Sequence, residues 1–190
     1  RKEITFLHKL SQEERDSRIG HIVRYGPPCF VVTWGQDGLQ YLMKHCEKEG
    51  IPLLRTQEET TKWIGLVDAY LTKALAPEIQ VHGVCVNVSG IGVLLRGKSG
   101  IGKSETALAL VRRGHRLVAD DAVVLKKINS EVLLGTHDGK TREFLALRSI
   151  GLINVARIYG SGAFQDETRI VLDIELTPWK ENELYNELEW

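Results

Sequence analysis

Eight consecutive residues carry the most specific chemistry in this chain: Gly97, Lys98, Ser99, Gly100, Ile101, Gly102, Lys103 and Ser104. They read G-x-x-x-x-G-K-S, a spacing that suits a phosphate group. Three glycines let the backbone wrap closely, so that amide N–H groups point inward as donors. Lys103 supplies a mobile positive charge for β- and γ-phosphates, and Ser104 offers a hydroxyl to Mg²⁺. Chemistry on a nucleotide phosphate is therefore the leading expectation, with the eight loop residues as the nucleotide site and Ser104 as metal ligand.

Two further groups sit close enough in sequence to serve that chemistry. Asp120 and Asp121 follow the apolar run Leu117-Val118-Ala119. A phosphoryl transfer needs a metal-bound carboxylate and a base for the acceptor's proton. In an extended strand, neighbours point to opposite faces, so one Asp should face the phosphates and the other should not. An Asp-Asp pair that merely caps a turn is the competing reading. His82, in Val81-His82-Gly83-Val84, lies in an apolar strand. Hairpin pairing could return it to the loop, where it would donate to a phosphate or tune an Asp. A lone strand histidine is more often structural.

The flanking elements fit this placement. Gly92 to Arg96 is a short apolar strand, and Glu105 to Arg113 reads as a helix stopped by Gly114. Val81 to Val88 is a strand and Ser89-Gly90-Ile91-Gly92 a turn, so a hairpin precedes the loop. Most phosphate-loop domains enter through a parallel crossover instead, which marks this chain as atypical. Arg116 to Lys126, Glu131 to Leu134 and Arg169 to Leu176 read as strands, and Glu143 to Tyr159 as helix or turn. Upstream, Cys29–Thr33 and Ile51–Arg55 are strands, while Asp37–Lys48 and Thr60–Leu75 are helices. Leu39, Leu42, Met43 and Cys46 share one face of the first of these helices. That β-α-β-α run predicts a parallel sheet. Ala76-Pro77-Glu78 reads as a linker, dividing an N-terminal α/β domain (1–76) from a phosphate-loop domain (77–190).

Bulk composition excludes several classes. The 190 residues hold 25 Lys+Arg and 25 Asp+Glu, a net charge of zero that argues against nucleic acid as partner. No apolar run reaches the roughly 20 residues of a membrane span. Cys29, Cys46 and Cys85 are odd in number and lack C-x-x-C spacing, so they read as reduced, structural cysteines in a cytoplasmic protein. The first residue is Arg1, without an initiator Met, so the chain reads as a piece of a longer protein.

Three blocks together resemble one family. Val81-His82-Gly83, then Gly97 through Leu108, then Arg113-Gly114-His115-Arg116-Leu117-Val118-Ala119-Asp120-Asp121 are similar to HPr kinase/phosphorylase. Ile150 to Val155 and Tyr159 to Ala163 resemble its second signature, and residues 20–75 resemble the end of its N-terminal domain. The resemblance implies an α/β fold akin to phosphoenolpyruvate carboxykinase and a homo-hexameric assembly. It implies ATP, or pyrophosphate as an alternative donor, with Mg²⁺, and phosphorylation of a seryl residue on the bacterial phosphocarrier HPr in control of carbon metabolism. Phosphorolytic reversal is implied too. Lys103 would stabilise the transferring group, Asp121 would be the base, with Asp120 beside it, and His82 a catalytic partner.

Two departures stand against it. The second signature normally reads Leu-Glu-hydrophobic-Arg-Gly, its Glu assisting the metal, whereas here stands Leu145-Ala146-Leu147-Arg148-Ser149. Ala146 lacks a carboxylate and Ser149 replaces a flexible glycine. The family also continues past Trp190 with an arginine-bearing loop and helices that help hold HPr. A small-molecule kinase on the same scaffold, or a nucleotide-sensing regulator with weak turnover, are the alternatives.

Overall fold

The computed structural model describes residues 2–181, except 38 and 149. The chain divides into two compact units between Leu71 and Thr72. Among the described residues, no helix is long and apolar enough to cross a membrane.

The first unit opens with two helices that the sequence reading left unassigned, α1 (Lys2–Lys9) and α2 (Gln12–Val23). Ser11 starts α2 through a capping box. Its hydroxyl accepts the Glu14 N–H at 3.3 Å, and the Glu14 carboxylate accepts the Ser11 N–H at 3.0 Å. The expected alternation follows as β1 (Phe30–Val32), α3 (Gln40–Glu49), β2 (Leu53–Arg55) and α4 (Thr60–Ala74), whose last three residues fall in the second unit. β1 and β2 pair in parallel, as a helical crossover requires. Gly50 ends α3 in the left-handed conformation, at φ 66°. Ile19, Val23, Val32, Leu39, Leu42 and Cys46 form the core. Met43, expected on the buried face of α3, is 48% exposed. The buried seam is narrower than the apolar pattern suggests.

The second unit comprises β3 (Glu78–Val88), β4 (Ile91–Gly97), α5 (Lys103–Arg112), β5 (Arg116–Lys127), β6 (Leu133–His137), β7 (Phe144–Leu147), β8 (Gly151–Asn154), α6 (Val155–Tyr159) and β9 (Glu167–Leu176). Five strands close into a barrel in the order β3-β4-β9-β6-β5. β3 and β4 form the expected antiparallel hairpin before the phosphate loop, and β4 pairs in parallel with β9. Closure leaves the barrel without an open edge.

At Val84-Cys85-Val86 both faces of the barrel wall are covered, which explains why this stretch is apolar throughout rather than alternating. Cys85, Leu94, Val118 and Val123 pack in the interior with Leu133 and Ile170. Val84, Val86, Leu95 and Leu117 pack outward on Ala107 and Val111 of α5 and on Leu145 of β7. A register shift between Cys85 and Val86 passes over Val118. This bulge turns Val118 and Ala119 to the same side. Burial pushes the Cys85 thiol up to about 12, so it is an inert packing group. Gly135 gives this sulfur room, since a Cβ there would stand 3.0 Å from it.

The stretch read as helix or turn, Glu143 to Tyr159, ends in the short helix α6 but also holds two strands, β7 and β8, which the sequence did not suggest. β7 and β8 pair antiparallel, with Leu145 opposite Ile153. Leu145 and Leu147 are buried while Ala146 between them is exposed. This period of two spans only four residues, too few to separate it from a helical pattern.

Candidate active site

The phosphate loop bridges the end of β4 and the first turn of α5. Its geometry depends on glycine at positions where φ is 134° (Gly97), 80° (Gly100) and 107° (Gly102). Gly97 is also crowded: a Cβ would stand 2.5 Å from the Leu176 carbonyl oxygen of β9. Gly102 leads directly into α5, whose N-terminal amides and dipole favour an anion. Lys103 is buried, and its ammonium donates to the Gly97 carbonyl at 2.8 Å and the Lys98 carbonyl at 3.1 Å. The loop's own oxygens thus hold the cation at the place where a phosphate would meet it.

The antiparallel run of β5 along β3 brings the two aspartates to this loop. Asp120 is buried, at 3% exposure. Its carboxylate accepts the Ser104 hydroxyl at 2.9 Å and the Ala146 N–H at 2.7 Å. Burial raises its pKa; the bonds from Ala146 and Ser104 oppose that shift without cancelling it, and the neighbouring Asp121 adds to it. Asp121 takes φ 67°. That left-handed residue breaks strand alternation, so Asp120 and Asp121 both line one cavity, against the expectation that only one would. His82 lies beside Asp121, with Nδ1 2.9 Å from Oδ1. β5 is the strand that sets it beside Asp121, since His82 stands opposite Ala122.

The cavity measures about 460 Å³ and collects His82, Lys103, Ser104, Asp120, Asp121 and Arg148. A wider groove of about 1060 Å³ runs along α1 and α2, lined by residues such as Phe6, Arg18 and Ile22, and holds none of these groups. Among the described residues no three His, Cys, Asp or Glu side chains form a ready metal cage. Ser104 and Asp120 nevertheless fit Mg²⁺, which takes one or two protein oxygens and completes its shell with water and phosphate. Ala146 presents no ligand of its own; its amide instead fixes Asp120. Ser149 lies outside the described residues.

Arg148 was not singled out by sequence reasoning. The signal was its place two residues after Ala146 in the second signature. Its guanidinium lies over Gly100, where a Cβ would come within 2.7 Å of Nη2.

A glycine loop at a helix N-terminus, with a lysine inside it and a Ser–carboxylate pair against it, defines a phosphate-loop nucleotide-binding domain, here mounted on a closed barrel. The chain belongs to the HPr serine kinase family: the family model described as HPr Serine kinase C-terminal domain matches residues 73–190, and that described as HPr Serine kinase N terminus matches residues 1–71.

A protein of Oceanobacillus iheyensis named "Putative HPr kinase/phosphorylase 2" is 63% identical over 190 residues, 100% of this chain and 62% of the relative. The HPr kinase/phosphorylase of Bacillus cytotoxicus is 41% identical over 186 residues, 98% of this chain and 60% of the relative. The solved Hpr(Ser) kinase/phosphatase of Coxiella burnetii superposes with TM-score 0.53 at 31% identity, over 57% of this chain and 66% of that one. The chain thus spans about three-fifths of the length of these curated relatives.

Proposed function

We propose that this chain carries the nucleotide site of a protein-serine kinase/phosphorylase that moves a phosphoryl group from ATP to a seryl hydroxyl of HPr, and reverses the transfer by phosphorolysis. The observation that carries this reading is the meeting, in one cavity, of the loop lysine, the Ser104–Asp120 pair and the Asp121–His82 pair.

The loop amides and Lys103 hold the phosphates, with the ammonium turning from the Gly97 and Lys98 carbonyls toward the β- and γ-oxygens. Ser104 and Asp120 would hold Mg²⁺, which when bound would supply charge neutralisation to the phosphates. Asp121 takes the proton from the seryl hydroxyl as its oxygen attacks the γ-phosphorus and the bond to ADP breaks. His82 orients that carboxylate through Oδ1, leaving the other oxygen for the acceptor. In reverse, inorganic phosphate attacks the phosphoseryl group, Asp121 returns its proton to the departing seryl oxygen, and pyrophosphate forms. By the same logic pyrophosphate serves as an alternative donor. A homo-hexamer in the bacterial cytoplasm, with no nucleic-acid or membrane partner, completes the reading.

The test is to incubate the full-length protein with HPr, Mg²⁺ and ATP and to look for phosphoserine by mass spectrometry. Phosphoserine on HPr supports the proposal. None under any effector condition overturns it in favour of a nucleotide-sensing regulator.

A further inference from the structure

Among the described residues, Arg148 carries an exposed guanidinium with no carboxylate paired to it, although it stands in a cavity containing two aspartates. Asp120 is engaged by Ser104 and Ala146, and Asp121 by His82. The guanidinium instead lies over Gly100, with Nη2, Cζ and Nη1 at 2.7, 3.0 and 3.1 Å from where a Cβ would be. Any side chain at position 100 would displace it, so the apex of the loop is bare on the side that Arg148 covers. A rigid fork of N–H donors over an anion-binding loop matches the geometry of phosphate oxygens.

We propose that Arg148 is a phosphate-contacting residue that closes the loop from the β7–β8 side and holds the terminal phosphate of the bound nucleotide, opposite Lys103. This rests on the kinase reading above. Two observations favour the terminal phosphate over the inner ones. Arg148 shares its cavity wall with Ala146, whose amide holds the metal-side carboxylate. It also shares the cavity with Asp121 and His82, the groups placed to receive the acceptor. The phosphate facing that wall is the one to be transferred. Lys103 approaches from within the loop and Arg148 from outside it, so the two cations flank the group whose charge redistributes in the transition state.

The experiment measures Mg²⁺-dependent binding of ATP and ADP to the full-length protein by calorimetry, for wild type, Arg148→Gln and Arg148→Lys. A charge-assisted contact confined to the terminal phosphate predicts that Arg148→Gln weakens ATP binding by roughly 10- to 100-fold. ADP affinity should stay within about twofold, and Arg148→Lys should fall between, since it keeps the charge but loses the fork. Equal weakening for both nucleotides would overturn the assignment to the terminal phosphate. Unchanged ATP affinity would overturn the contact itself. Wild type that binds neither nucleotide would instead sink the kinase reading on which this proposal depends. The melting temperature without nucleotide should be the same for all three proteins, because the exposed guanidinium pairs with no described carboxylate.

Discussion

Asp120→Asn should stabilise the nucleotide-free protein while disabling it. An amide has nearly the shape of a carboxylate and can keep both of the hydrogen bonds that Asp120 makes. Its oxygen accepts from the Ala146 N–H, and its NH₂ donates to the Ser104 hydroxyl oxygen, which reverses its role. Each neutral bond is worth about 1 kcal/mol, so little is lost there. What changes is the buried charge. Burial, the largest influence on this carboxyl, raises its pKa from the ordinary value. A folded-state pKa raised above the unfolded one means that the protonated form stabilises the fold, and that this stability disappears as pH rises through the folded value. At neutral pH wild type therefore carries a penalty that the amide lacks. The gain should be on the order of 1 kcal/mol, a rise of roughly 4 °C in melting temperature for a unit of this size. The gap between variant and wild type should close as pH is lowered through the raised pKa, because Asp120 is then neutral too. The same substitution turns a nitrogen toward the metal position. Supporting contacts alone often control metal affinity 10- to 100-fold, so half-maximal transfer should need at least about tenfold more Mg²⁺. Melts from acid to neutral pH, paired with Mg²⁺ titrations of HPr phosphorylation, test both halves. A variant less stable than wild type at neutral pH, or one with unaltered Mg²⁺ dependence, would refute the reasoning.

Lys103→Ala should leave less than about a tenth of the wild-type transfer rate, roughly 1.4 kcal/mol of barrier, because the loop amides that remain cannot replace its full positive charge; rates at saturating ATP check this. Asp121→Asn should slow transfer by about 10²–10⁴-fold with melting almost unchanged, since the side chain is exposed and Asn accepts its backbone conformation. Single-turnover kinetics at matched nucleotide occupancy would show whether it does. Ala146→Glu should lower the Mg²⁺ concentration for half-maximal transfer, because its side chain projects from an exposed position beside Asp120 while its amide bond is kept; a folded variant with unaltered Mg²⁺ dependence would contradict that placement.

The phosphate loop was legible because backbone geometry there demands particular residues at fixed spacing. The hairpin before it was legible too, since Ser89 and Gly90 interrupt two apolar runs. Closure of the barrel was not, because it rests on β9 pairing with β4 across more than seventy intervening residues. That both aspartates line one cavity was not legible, since one left-handed residue departs from the rule of alternation and nothing local announces it. Arg148 was passed over because its meaning lies in Gly100, forty-eight positions earlier, and the two meet only when β7 is laid beside the loop.

The left-handed backbone at Asp121 also restricts evolution at this position. A residue with a Cβ is penalised there by roughly 1–2 kcal/mol, with Asn and Asp the least affected and glycine free of the restriction. Chemistry asks for a carboxylate and the backbone asks for Asp, Asn or Gly, so the two filters overlap at one amino acid. Glutamate, the usual acidic substitute, passes the first filter and fails the second. A lineage that relaxed selection on transfer would leave this position by way of Asn or Gly, both reachable from Asp by single-base changes. Asp121 is thus a site where the course of decay is foretold by a dihedral angle.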